Sequence, residues 1–175
     1  HDYLILGEPR GVGGVPDKVA ETVVVLEPNI ESVERVLQQD DDIACLILEP
    51  TGAHGGQLPL PPSFLEALRS LTEQHNVVLI FDEVVTGFRV SKGGAQLRYG
   101  VTPDMSTHAK VLAGGLPGGA VVGKKDILDM IQHSGDPKWD SQKRVAHPGT
   151  FNANPLSSVA GAAGLNIIAN EPINQ

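Results

Sequence analysis

A single cysteine, Cys45, leaves the chain with no possible internal disulfide, which fits a reducing cytoplasm better than an oxidising compartment. Its setting, Ile43-Ala44-Cys45-Leu46-Ile47-Leu48, makes it a candidate small core residue. Basic residues are also scarce: 13 Lys and Arg stand against 21 Asp and Glu, for a formal charge of −8. That imbalance argues against a nucleic-acid backbone or an anionic membrane as the main partner. It leaves room for one basic pocket around a single phosphate. Apolar runs are strand-sized, well short of the roughly 20 residues that cross a bilayer. His1-Asp2-Tyr3 has neither an initiator Met nor a charged-then-apolar leader pattern. The six histidines show no metal-ligand spacing, and no cysteine cluster supports zinc. Internal repeats and low-complexity tracts are missing as well.

What remains is a chain of 175 residues with 41% hydrophobic and 19% charged side chains, enough for one domain with its own core. Residues 7–16 form a loop rich in Gly and Pro. Thr22 to Leu26 is a short strand candidate, and Asn29 caps a helix with Val33, Val36 and Leu37 on its apolar stripe. Ile43 to Leu48 is an unbroken apolar run, as in a strand buried within a parallel sheet. Pro61 and Pro62 open a helix over 63–75 that aligns Phe64, Leu65, Leu68 and Leu71. Val77 to Phe81 is the next buried strand, followed by shorter strands at Met105–His108 and Ala120–Val122 and a short helix at Lys125–Ile131. Residues 134–149 read as a polar loop containing Asp136-Pro137-Lys138-Trp139. Pro155 opens a last helix, expected to pack through Val159, Ala163 and Ile167. Strands alternating with helices predict an α/β fold, a mostly parallel sheet with helices on both faces.

Ligands in such sheets collect outside the carboxyl ends of the strands, and Glu49, Asp82 and Lys110 each fall at or just past one. Asp82 alone reads first as a turn cap and otherwise as a carboxylate paired with a cationic ring nitrogen. Lys110 stands 28 positions further on, among small and apolar residues and before Gly114-Gly115-Leu116-Pro117-Gly118-Gly119. A desolvated amine there would lose its proton and form a Schiff base, and the glycines would let the backbone approach a bulky cofactor. A carboxylate and an amine facing one crevice suit pyridoxal 5′-phosphate. Glu49-Pro50-Thr51-Gly52-Ala53-His54-Gly55-Gly56 is a tight turn or the gate of a pocket, and His108 is a core or pocket-wall residue. Gly118-x4-Gly123-Lys124-Lys125 imitates a phosphate-binding loop but has Lys125 where a magnesium-binding hydroxyl is required.

These segments together resemble the class III, fold-type I pyridoxal-phosphate aminotransferases, and most the glutamate-1-semialdehyde 2,1-aminomutase branch. The carriers are Leu48-Glu49-Pro50, the run from Leu79 to Arg89, Gly93-Gly94-Ala95-Gln96, the run from Tyr99 to Asp104, Lys110 with Gly114-Gly115-Leu116-Pro117, and the run from Gly149 to Pro155. An apolar Val85 is like the aminomutase branch. The resemblance implies that Lys110 holds the cofactor and shuttles protons, Asp82 pairs with the pyridine nitrogen, and Val84 packs on the ring. It implies that Glu49 borders the substrate pocket and that Thr150 binds the cofactor phosphate of the neighbouring subunit, making a homodimer. The partners would be a small amino donor and an oxo acceptor. Residues 1–175 would be the central part of the large cofactor-binding domain, an internal piece of a longer protein. The phosphate loop and stacking aromatic would precede His1, and the small C-terminal domain would follow Gln175. Intramolecular amino transfer, and a degenerate homologue keeping only the fold, are the alternatives.

Overall fold

The computed structural model describes residues 16–52, 60–61 and 63–173. The loop expected over 7–16 therefore lies almost wholly outside the described residues, as do Pro62 and the turn residues Ala53 to Gly56. A four-stranded sheet carries the fold: β1 (Cys45–Leu48), β2 (Val78–Asp82), β3 (Met105–His108) and β4 (Ala120–Gly123), adjacent in that order. β1, β2 and β3 run parallel, while β4 returns antiparallel to β3. This is the mostly parallel α/β sheet with helices that the alternating pattern predicts.

Side-chain alternation decides what packs where. Leu79 and Phe81 of β2 are fully buried, whereas Val78, Ile80 and Asp82 are half-buried. Register places Leu46 and Leu48 of β1 beside Leu79 and Phe81. Against that face lie α2 (Ile30–Gln39) and α3 (Phe64–Gln74), which contribute Val33, Leu37, Leu65, Leu68 and Leu71 to one core; α1 (Asp17–Ala20) is a single turn ahead of them. α2 starts where Asn29 accepts a hydrogen bond from the Ser32 amide at 2.8 Å, as the capping pattern predicts.

Four expectations fail, each for a physical reason. Thr22–Leu26 forms no strand: among the described residues it has no ladder partner, and Val24 and Val25 stay exposed. Propensity alone does not make a strand without a second chain to bond. Cys45 is exposed rather than in the core, because it opens β1 on the face away from Leu46. The polar stretch 134–149 contains a helix; it follows α4 (Gly94–Tyr99) and α5 (Lys125–Leu128) in chain order and is α6 (Pro137–Gln142). Asp136 caps it through the Lys138 amide, with Pro137 in the first turn, a start signal hidden by the surrounding polarity. Finally, α7 (Pro155–Asn170) turns Val159, Ala163 and Ile167 outward and buries Gly161 instead.

Candidate active site

Two carboxylates, Asp82 at the end of β2 and Glu83 just past it, point to opposite faces by the two-residue period. Asp82 shares its face with Thr107, its register partner on β3. The Thr107 hydroxyl donates to Asp82 Oδ1 at 3.2 Å and the Val84 amide donates to the same oxygen at 3.0 Å. Among the described residues Oδ2 has no hydrogen-bond partner, so the carboxylate is oriented and still has an oxygen to offer. Thr107 is the residue that sequence reasoning missed. Its signal was available, since parallel pairing of the two strands brings the third residue before Lys110 beside Asp82.

Glu83, fully buried, takes the other face and has a structural task. Its carboxylate accepts the Ala95 amide at 2.6 Å, the Gln96 amide at 3.4 Å and the Thr86 hydroxyl at 3.0 Å. It thereby satisfies the open N–H groups at the start of α4 from a distance in sequence. Gly94 is required there, since its backbone is left-handed and a Cβ would collide with the Glu83 carboxylate.

His108, on the Glu83 face, is buried, with Nε2 at 3.0 Å from the Ser106 hydroxyl and its ring stacked obliquely on Phe88 at 5.4 Å. Burial holds its imidazole below the ordinary value, against the opposing pull of Glu83 and then Asp82. It is both a core residue and a cavity wall: an open cavity of about 570 Å³ is lined by Phe88, Gly93, Leu97, His108, Leu112 and Val122 among others. Neither Asp82 nor Lys110 lines that cavity. Its position on the opposite face of the sheet separates it from the candidate chemistry.

Lys110 begins a 3-10 turn, Lys110–Ala113, just past the end of β3. Lys110 is exposed among the described residues. The backbone is unusual: φ is +50°, a left-handed conformation that is costly for a side-chain-bearing residue and accumulates at functional positions. Gly114, the first glycine after it, also makes a close backbone contact. A Cβ at Gly114 would meet the Ala160 carbonyl oxygen at 2.5 Å, so the close approach is to the backbone of α7.

Glu49 is half-buried at the end of β1, and its carbonyl closes a turn by accepting the Gly52 amide at 2.9 Å. Val84 is half-buried beside Asp82, and Thr150 is exposed in a turn ahead of α7. The imitation phosphate loop is strand β4, with Lys124 paired to Asp104 at 2.6 Å. Among the described residues no three His, Cys, Asp or Glu side chains gather to hold a metal ion, and no helix is long and apolar enough to cross a membrane. Asp82 and Lys110 thus stand at and just past the carboxyl ends of adjacent parallel strands, one an oriented acceptor and the other an exposed lysine. That donor set fits a ligand that has both a protonated ring nitrogen and an aldehyde.

Known proteins match this chain in sequence and shape. The sequence pattern of the family described as Aminotransferase class-III covers residues 15–175. The glutamate-1-semialdehyde 2,1-aminomutase of Sulfolobus acidocaldarius is 40% identical, aligning with 100% of this chain and 42% of its own length. Glutamate-1-semialdehyde 2,1-aminomutase 2 of Brevibacillus brevis is 44% identical over 87% of this chain and 34% of its own. An omega-transaminase from Sphaerobacter thermophilus superposes with a TM-score of 0.79 at 39% identity, over 89% of this chain and 34% of that one. A transaminase with PLP bound gives 0.76 at 34% identity, over 93% and 37%. The chain spans less than half the length of each.

Proposed function

This chain belongs to the class III aminotransferase family, and from that premise we propose that it carries the lysine and aspartate of a pyridoxal-phosphate site that transfers an amino group between an amino compound and an oxo acid or aldehyde. The observation that carries the reading is the pairing of β2 with β3, which brings Asp82, fixed by Thr107, beside the strand that leads into Lys110. When bound, the cofactor supplies an aldehyde for the amine and a protonated ring that draws electron density from the substrate carbon. Asp82 keeps the proton on the ring nitrogen, its own orientation set by the Thr107 hydroxyl and the Val84 amide. Lys110 would be the attachment point, and its free amine would remove and return the proton at the substrate carbon. Val84 would pack on the ring and Glu49 would border the substrate pocket.

Thr150 serves the site of a second copy in a homodimer. Its exposure, and that of the adjacent Phe151, supports that reading. Borohydride treatment of the full-length protein with pyridoxal 5′-phosphate, followed by peptide mass mapping, tests the assignment. Cofactor fixed on Lys110, and lost in Lys110→Ala, is the expected result; cofactor fixed elsewhere overturns it. A second reading, intramolecular transfer as in an aminomutase, is favoured by the names of the relatives at 40% and 44% identity. Conversion of glutamate-1-semialdehyde without a second oxo acid distinguishes it from transfer to a separate acceptor.

A further inference from the structure

The turn that carries Lys110 is locked onto α7 by backbone contacts that leave no room for a side chain. α7 buries only one residue, Gly161, and a Cβ there would stand 2.6 Å from the Leu112 carbonyl oxygen and 3.5 Å from the Ala113 Cα. The reciprocal contact is Gly114 against the Ala160 carbonyl. One helical turn further along, Gly164 lies 3.7 Å, measured from its added Cβ, from the Gly114 Cα. The Ser157 hydroxyl, one turn earlier on α7, donates to the Pro117 carbonyl at 2.7 Å. Inside the turn, Leu112 donates to Ala109, Gly114 to Val111 and Leu116 to Ala113, each at 3.1 Å. All the colliding groups are backbone, so neither side can yield by turning a side chain.

A left-handed lysine persists only where its surroundings determine it, and these contacts are what surround the turn downstream of it. We propose that Gly161 and Ser157 of α7 are positioning residues for Lys110: the helix holds the turn, and the turn holds the amine at the start of its trajectory toward the cofactor. The inference rests on the reading of Lys110 as the attachment point. Gly161→Ala pushes Leu112 and Ala113 away and moves Lys110, so covalent attachment falls while noncovalent cofactor binding, carried by other groups, remains. Condensation of the amine with the cofactor aldehyde releases water, and borohydride then fixes the linkage, which makes the attached fraction countable by mass.

The test compares attached with total bound pyridoxal 5′-phosphate in the full-length protein at saturating cofactor. Gly161→Ala should lower the attached fraction at least fivefold, and Ser157→Ala, which removes the bond to Pro117 without adding volume, at least twofold. Ala162→Gly, on the exposed side of the same helix, loosens α7 without touching the turn, so it should lower the melting temperature and leave the fraction unchanged. Equal attachment in wild type and in both contact variants overturns the inference, as does an equal loss in Ala162→Gly at matched melting temperature. If Gly161→Ala does not fold, Ser157→Ala decides in the same way. No attachment at Lys110 in the wild type, with attachment at another lysine, instead refutes the assignment of the site.

Discussion

Asp104→Ala is expected to remove a large part of the stability of the β2–β3 pair, because one buried carboxylate ties three elements together. Its side chain is 7% exposed. Oδ2 accepts the Leu79 amide of β2 at 2.7 Å and the Arg69 guanidinium of α3 at 2.9 Å, while Oδ1 meets Lys124 at the end of β4 at 2.6 Å. Truncation strands the Leu79 amide in a fully buried position, at a cost of about 1–3 kcal/mol. It also leaves Arg69, 15% exposed, with the exposed Glu73 as its one remaining ion-pair partner among the described residues, beside a 3.5 Å hydrogen bond to the Thr102 carbonyl. Breaking a buried pair from one side costs about 3–5 kcal/mol, a range that already contains the stranded amide. The expected loss is therefore about 3–5 kcal/mol, set against a typical total of about 5–15 kcal/mol. Asp104→Asn keeps an acceptor for Leu79 and should lose about half as much. Urea midpoints of the full-length protein at unchanged slope measure the loss, and hydrogen exchange at the Leu79 amide locates it. A loss below about 1 kcal/mol for Asp104→Ala, in the range of an exposed pair, refutes the argument. Acid gives an independent check. Burial pushes the carboxyl up, but hydrogen bonds from Lys124, Leu79 and Arg69 together hold it below its ordinary 3.8. The contribution is then fully present above pH 3.8 and lost as pH falls through the lower folded value, a loss that Asp104→Asn should not show.

His108 should make stability fall on mild acidification, with the opposite origin. Burial depresses its folded value below 6.5, so the unfolded chain takes the proton first and stability declines as pH drops through 6.5. His108→Gln should flatten the difference between urea midpoints at pH 5.5 and 7.5, and an unchanged difference would contradict the assignment. Glu83→Ala strands the Ala95 amide and the Thr86 hydroxyl and should cost about 3 kcal/mol, seen first as faster exchange at Ala95. Asn29→Ala, which leaves the Ser32 amide without its 2.8 Å cap, should cost about 1 kcal/mol by urea titration.

Apolar runs were the most readable part of the sequence, since strands inside a parallel sheet advertise themselves by being continuous. That is why β1, β2 and β3 fall close to their expected places, while β4 had to be inferred from three residues. α7 shows where hydrophobic periodicity misleads. Its expected contact row, Val159, Ala163 and Ile167, follows helical spacing, yet the buried position is Gly161. Packing of backbone against backbone selects for the absence of a side chain, so a hydrophobicity pattern points to the wrong face. Polarity hid α6 in a similar way, because the helix is held by Asp136 and Pro137 at its start rather than by a buried stripe.

The candidate site divides along the same line. Asp82 and Lys110 were readable because strand ends can be counted, whereas the surroundings of Lys110 were not, since its sequence neighbours are small and apolar and the residue is exposed among the described residues. Val111, Leu112 and Ala113 form the turn that meets α7 rather than enclosing the amine. What fixes the relation of Asp82 to Lys110 is register. Thr107 reaches Asp82 only in the pairing Asp82↔Thr107, and a slip of one residue would send Thr107 to the His108 face and break the bond. Asp104 locks that register at the other end of β3, where its amide donates to the Leu79 carbonyl while its carboxylate accepts the Leu79 amide. A carboxylate at the opposite end of β3 from Thr107 therefore helps hold the register on which the proposed Asp82–Lys110 spacing depends. Asp104→Ala, which removes the acceptor for the Leu79 amide, should accordingly reduce attachment of pyridoxal 5′-phosphate to Lys110 even at temperatures where the protein stays folded. Full attachment in a folded Asp104→Ala variant would show that β2 and β3 hold their register through backbone pairing alone.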